Sequence, residues 1–260
     1  MENSIHEGHR ERLRKTYCEN GVNALNDYQL LELLLTYTVP RRDTNPIAHA
    51  LLERFSTLAN VLQSDTKRLT SVDGVGERTA TFLRLIGDTQ KRVEMSLLTS
   101  RDGKIVLHTP LAAARYASIK TRDLGNEVVL VVCLNTHFEV ITCKQLQTGT
   151  IDEATIYPRA VVETALFYRA HSVLMIHNHP SGNPLASKAD EDSTKNIQNA
   201  LRVIDISLRD HLIAAGRYVY SFSSNCIIDI ASESVAVYTV EQFSQINQST
   251  VKVMENYEKE

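Results

Sequence analysis

The strongest chemical pattern in the sequence is a pair of histidines two residues apart, His177 and His179, followed by Ser187 and Asp190. The spacing is H-x-H-x7-S-x2-D, and the pair is entered from an apolar run, Ser172 to Ile176, that reads as a buried strand. On an extended chain, residues two apart point to the same side, so both imidazoles can converge on one ion where the strand leaves its sheet. The loop that follows then brings the carboxylate of Asp190 back from the first turn of the next helix. Two histidines and a carboxylate, with one position left for water, are the donor set of a catalytic zinc site rather than a closed structural one. One Zn2+ per chain is the cofactor implied, and it would lower the pKa of bound water to about 7.

The same residues carry blander readings. A lone HxH also occurs at strand ends and in satisfied cores. Ser187 and Asp190 also form a capping-box-like S-x-x-D pattern, which needs no catalysis. The two readings are compatible, because a cap fixes where the helix begins and so where Asp190 points. Asn178 projects away from its two neighbours and reads as a loop-fixing hydrogen-bonder, while Asp192 should face away from a metal. Asp210-His211 is a second polar pair, and His211 either lies behind the metal ligands or simply ends a strand.

Several elements must position these groups. Apolar spacing from Asn26 to Phe55, interrupted around Pro40 to Pro46, predicts two helices and a turn. Short helices follow over 57–62 and from the N-cap Asp65 to about Val72, then a Gly74-Val75-Gly76 turn and a helix from Glu77 to about Met95. A polar stretch from Leu98 to Gly103 marks a change to strand-like material. Glu127 to Leu134 and Phe138 to Cys143 read as a hairpin. Beyond the strand 172–177, helices are predicted over 158–170 and 189–203, and strands over 206–213 and 218–221. The fold class is α+β: an all-α domain over 1–98, an α/β domain over 104–224, and an extension over 225–260 in which no function is legible.

Composition narrows the setting. No stretch approaches the roughly 20 apolar residues of a membrane helix, and the polar start from Met1 to Arg14 lacks the apolar region of a signal peptide. No membrane partner and a cytoplasmic location are expected. Cys18, Cys133, Cys143 and Cys226 are far apart and read as reduced, mostly core residues. A net charge of −3, with residues 1–98 neutral at 13 basic against 13 acidic side chains, gives no global sign of a nucleic-acid binder.

The complete H-x-H-x7-S-x2-D pattern resembles the JAMM (MPN-plus) metalloprotease signature, and the run His177-Asn178-His179-Pro180-Ser181-Gly182-Asn183-Pro184 resembles the bacterial RadC family. Gly149-Thr150, Tyr157-Pro158-Arg159 and Asp210-His211 extend the likeness, which covers roughly residues 8–223. Ala160 departs from the acidic residue that usually follows Pro-Arg, Ala186 from a proline before the serine, and the tail after about Ser224 is additional. The resemblance implies an MPN-type, cytidine-deaminase-like α/β sandwich for the second half. It also implies a zinc hydrolase acting on an amide or isopeptide bond of a peptide or protein substrate. That chemistry needs a glutamate that takes a proton from water and passes it to the leaving amine. By similarity this residue opens an apolar strand, as Glu127 does, eight residues before Asn135; Glu139 and Glu163 match less well, and Glu127 can also be read as a solvated charge at a strand start. Ser187 would, by the same resemblance, donate to the oxyanion, a contribution of about 3 to 4 kcal/mol for typical donors.

In the first half, Leu69 to Leu83 resembles a helix-hairpin-helix motif. Gly74 and Gly76 would let backbone N–H groups approach a phosphate, with Arg78 adding charge at the start of the next helix. Such contact would hold non-specific DNA without reading sequence. A Gly-x-Gly turn between helices is equally a packing device, and Asp65, Asp73 and Glu77 offset the local basic charge. The traditional association of RadC-like proteins with DNA repair makes a DNA-binding or nuclease role the alternative to a peptide-bond hydrolase. A docking scaffold, the third reading, would predict missing ligands.

Overall fold

The computed structural model describes residues 2–146, 158–231 and 236–245. Gly149-Thr150, Tyr157 and the tail from residue 246 lie outside the described residues. The chain divides into two compact units, residues 1–93 and 94–260.

The first unit is helical: α1 (Glu2–Asn20), α2 (Asp27–Thr36), α3 (Asn45–Phe55), α4 (Leu58–Gln63), α5 (Thr66–Thr70) and the start of α6 (Glu77–Ser96). Local sequence sets the helix starts. Asn26 and Gln29 form a reciprocal capping box on α2, and the side chains of Thr57 and Asp65 accept the N–H groups of Asn60 and Arg68 to open α4 and α5. Leu31, Leu35, Leu51, Val61, Leu69 and Leu83 close the core between them.

The second unit is a single mixed sheet with helices on both faces. Its strands are β1 (Val129–Leu134), β2 (Val140–Gln145), β3 (Ser172–Asn178), β4 (Ser207–Ala215), β5 (Tyr218–Ser221), β6 (Cys226–Asp229) and β7 (Ala236–Tyr238), in the order β2-β1-β3-β4-β5-β6-β7. The pairing is antiparallel throughout except for β3 with β4. A parallel pair needs a crossover, and α9 (Lys188–Arg202) supplies it. Strand alternation sorts the core. Leu130, Val132, Leu134, Leu174 and Ile176 pack with α7 (Pro110–Thr121) on one face. Val129, Val131, Cys133, Val173 and Met175 pack with α8 (Pro158–Phe167) and α9 on the other.

The hairpin β1–β2 and the order of elements from 158 to 221 follow the sequence reading. Helix α7 was not expected in the stretch after residue 104. Its alanine-rich segment Ala112–Ala114, Tyr116 and Ala117 is apolar on most sides and largely buried, so it lacks the amphipathic period that marks a surface helix. The boundary drawn at residue 224 falls inside the β5–β6 hairpin, and the sheet continues through β6 and β7. Strands of only four and three residues, β6 and β7, leave too little alternation to read. No helix among the described residues is long and apolar enough to cross a membrane.

Two glycines show how tightly the helical unit is packed. A Cβ on Gly87 would lie 2.2 Å from the carbonyl oxygen of Leu62, so α6 can approach α4 only without a side chain there. A Cβ on Gly76 would meet nothing within 4 Å. Gly87→Ala is expected to destabilise the helical unit by about 1–3 kcal/mol, and Gly76→Ala by less than about 0.5 kcal/mol, in urea unfolding followed by circular dichroism. Equal stability of the two variants would contradict the close α4–α6 approach.

Candidate metal centre

Strand β3 is buried along its whole length, and its odd-numbered residues face α8 and α9. His177 continues that face at the strand end, with its side chain only 6% exposed. His179 lies one residue past the strand, yet its N–H still donates to the Ala214 carbonyl of β4, so the pairing extends through it. The Nδ1 of His179 sits 2.8 Å from the carbonyl oxygen of Asn183. A carbonyl only accepts, so Nδ1 carries the proton and Nε2 is left as a lone-pair donor. The loop is closed by Gly182, at φ 82°, whose N–H donates to the His179 carbonyl.

Ser187 opens α9 by a reciprocal capping box with Asp190. Its Oγ accepts the Asp190 N–H at 3.1 Å and donates to Asp190 Oδ2 at 2.6 Å, while the Ser187 N–H donates to the same oxygen at 2.8 Å. The other oxygen, Oδ1, lies 3.1 Å from His177 Nδ1, and Oδ2 lies 3.9 Å from His179 Nε2. Burial works against the charge on Asp190. Hydrogen bonds with His177 and with the hydroxyl and N–H of Ser187 outweigh it and hold the carboxyl well below the usual carboxylate range. The group is therefore a buried anion at neutral pH, placed against two imidazoles.

Glu127 approaches from the other strand. Register pairs Val129 with His177, so the residues just before β1 lie beside the end of β3. Asn178, which points to the α7 face, fixes them there. Its Oδ1 accepts the Val128 N–H at 2.7 Å, and its Nδ2 donates to the carbonyls of Asn126 at 3.0 Å and Leu124 at 3.4 Å. Glu127 Oε2 then stands 3.7 Å from His177 Nε2, on a side chain 54% exposed. The competing carboxylates are engaged elsewhere: Glu139 with Lys104 and Asn135, Glu163 with Arg159. Asp192 pairs with Lys188 on the exposed side of α9.

The structure thus brings together Glu127, Ser187, His177, His179 and Asp190. Among the described residues, donor atoms of Glu127, His177 and His179 all lie within 4.8 Å of one another, a separation that one metal ion can span. That group takes Glu127 where the sequence pattern takes Asp190, which in this conformation is turned to His177 Nδ1 and to its own cap. His177 Nε2 is buried with no hydrogen-bond partner. An orphaned lone pair or N–H in that position costs free energy unless something occupies it, and a metal ion fits the donor set.

His211 does not end a strand; it lies within β4, with 0% exposure. Its ring is parallel to that of His177, with centroids 6.4 Å apart, and stacked on Phe222 at 4.8 Å. Burial pushes its imidazole down to about 3, so it is neutral at physiological pH. The neighbouring Asp210 points elsewhere and accepts from Ser221 Oγ and the Ser223 N–H, holding the turn that carries Phe222. Thr194, 2.6 Å from His211 Nδ1, was missed in the sequence; its only signal is its place one turn after Asp190 on α9. In the helical unit, Gly74, Gly76 and Arg42 line a shallow depression at the α5–α6 turn, and Arg78 is exposed on the first turn of α6. Gly74 has a packing role of its own: φ is 82°, and a Cβ would lie 2.9 Å from Ile47 Cγ1.

A sheet covered on both faces, with histidines at the end of a central strand and a carboxylate at the start of the next helix, defines a metallohydrolase-type fold of the JAB class. Residues 107–227 match the family described as RadC-like JAB domain. The chain is also 32% identical over 235 residues to a UPF0758 protein of Fusobacterium nucleatum, an alignment covering 88% of this chain and all of that protein. The chain belongs to the RadC family.

The cap geometry makes its own demand. Ser187→Ala removes both the acceptor for the Asp190 N–H and a donor to its carboxylate, and should cost about 1 kcal/mol of stability, as for other lost N-caps. Thermal unfolding of the metal-free protein measures this, and an unchanged transition would contradict the capping role.

Proposed function

We propose that this chain is a zinc-dependent hydrolase that cleaves an amide or isopeptide bond in a peptide or protein substrate. The observation that supports this most is the convergence of Glu127, His177 and His179 donor atoms within 4.8 Å beside the buried carboxylate of Asp190. His177, His179 and Asp190 would hold the ion, which when bound would supply a Lewis acid and activate water. Asp190 suits that place because it is buried and charged, and a cation replaces solvent as its partner.

Glu127 suits a different task. Its half-exposed carboxylate can reach both solvent and the site, so it can take a proton from the attacking water and deliver it to the leaving amine. Ser187 currently gives its hydroxyl proton to Asp190; with that carboxylate bound to a cation, the hydroxyl becomes free to turn towards an oxyanion. The reverse assignment has an observation in its favour. A carboxylate on Nδ1 of a histidine is the usual way to orient its Nε2 towards a metal, and Asp190 stands so against His177, which would make Glu127 the third ligand.

The helical unit, read over residues 1–98 as a helix-hairpin-helix domain, would then hold the chain near non-specific DNA through Gly74, Gly76 and Arg78. What supports this is the open depression at that turn and the exposed cation beside it. The cysteines are all free, which fits a reducing compartment such as the cytoplasm.

Zinc content of purified protein, measured by plasma mass spectrometry, tests the site. About one zinc per chain is expected, lost in His177→Ala and Asp190→Ala and retained in Glu127→Gln, with hydrolysis of peptide or isopeptide substrates abolished in the last. Zinc lost in Glu127→Gln and kept in Asp190→Asn would exchange the two carboxylates' roles. No zinc in a folded, reconstituted wild type would sink the hydrolase reading and move the weight to DNA binding by the helical unit.

A further inference from the structure

His211 presents a problem of polar accounting that packing does not solve. The ring is fully buried, stacked on Phe222, and its Nε2 has no hydrogen-bond partner. A buried, unsatisfied ring nitrogen costs free energy, typically about 1–3 kcal/mol, and a phenylalanine would fill the same slab of space without it. What the imidazole has that phenylalanine lacks is Nδ1, and Nδ1 is engaged: it lies 2.6 Å from Thr194 Oγ1.

The direction of that hydrogen bond follows from counting protons. Thr194 Oγ1 has one proton and is also 2.6 Å from the carbonyl oxygen of Asp190, one helical turn earlier. That carbonyl can only accept, so the threonine proton goes to it. Thr194 is then an acceptor towards His211, and Nδ1 is the donor. The chain runs His211 Nδ1–H to Thr194 Oγ1, then Thr194 O–H to the Asp190 carbonyl. One end is anchored in the centre of β4, and the other is the main chain of the residue whose carboxylate faces His177 and His179.

We propose that Thr194 and His211 are positioning residues for the metal site, a hydrogen-bonded strut that fixes the first turn of α9 against β4 and so sets the distance between Asp190 and the two histidines. The inference rests on the metal-site reading above and adds to it two residues outside the H-x-H-x7-S-x2-D pattern. The Ser187 cap holds the Asp190 side chain from the solvent side of the turn, and the strut holds its main chain from the sheet side. With only the cap, the first turn of a helix can fray and slide; with both, the carboxylate has a fixed origin.

The test is Co2+ binding to chelator-treated full-length protein, followed by its visible absorption and paired with melting of the metal-free form. Thr194→Val, which keeps the shape and removes the hydroxyl, should weaken Co2+ affinity about 10- to 100-fold, the range for partners of metal ligands. Thr194→Ser, which keeps the hydroxyl, should stay within about threefold of wild type. His211→Phe should weaken Co2+ while leaving the metal-free melting temperature unchanged or higher, because the unsatisfied Nε2 is gone. A purely structural role would move stability and affinity down together in all three variants, and that pattern overturns the inference. Wild type that binds Co2+ with Thr194→Val equal to it overturns the strut alone. Wild type that binds no Co2+ overturns the metal reading, and the strut falls with it.

Discussion

The second unit is organised around one difficult group, the buried carboxylate of Asp190. A carboxylate removed from water is costly unless it is paired and hydrogen-bonded. Here the offsetting contacts come from two directions. Ser187 caps it from the helix start with its hydroxyl and N–H, and His177 meets it from the end of the central strand. The contact therefore ties α9 to β3 at the one point where the chain makes its parallel crossover. Shift either element by a residue and the charge keeps its cap but loses His177.

The surrounding layers follow from that requirement. Because β3 and β4 are parallel, the N-terminus of the crossover helix returns beside the strand ends, where a helix N-terminus also favours negative charge. Because β1 runs antiparallel to β3, the residues preceding β1 arrive at the same end, and Asn178 fastens them from the opposite face. His177 and Asn178 are adjacent in sequence and divide the work by strand alternation: one faces the helices α8 and α9 and the carboxylates, the other faces α7 and holds the segment that carries Glu127. Neither α8 nor α7 supplies a site side chain, yet each closes one face of the sheet so that these strand-end side chains have a fixed origin.

Much of this was legible in the sequence, and the reasons are specific. His177, His179, Ser187 and Asp190 are close in sequence and obey a period and a capping rule, so spacing alone brings them together. The opposed role of Asn178 followed from strand alternation. Thr194 and His211 are different, because their contact joins residues 17 apart through a helix and a neighbouring strand, and no local pattern encodes it. Glu127 was assigned by resemblance, since its approach to His177 depends on a strand register 50 residues away. Helix α7 escaped because a buried alanine-rich helix has no polar stripe, and β6 and β7 because their strands are too short to alternate visibly. The partition between the two carboxylates is where sequence and geometry pull apart: the spacing favours Asp190 as the ligand, whereas the geometry sets Glu127 nearer to Nε2 of His177.

X-ray absorption at the zinc edge of the metal-loaded protein addresses that partition and the site together. The expected spectrum has a shell of nitrogen and oxygen donors at about 2.0–2.2 Å, two of them imidazoles by their multiple scattering, unchanged in Glu127→Gln and altered in Asp190→Asn. A sulfur shell near about 2.3 Å, or a spectrum without imidazole scattering, would place the metal elsewhere in the chain and contradict the assignment of His177, His179 and Asp190.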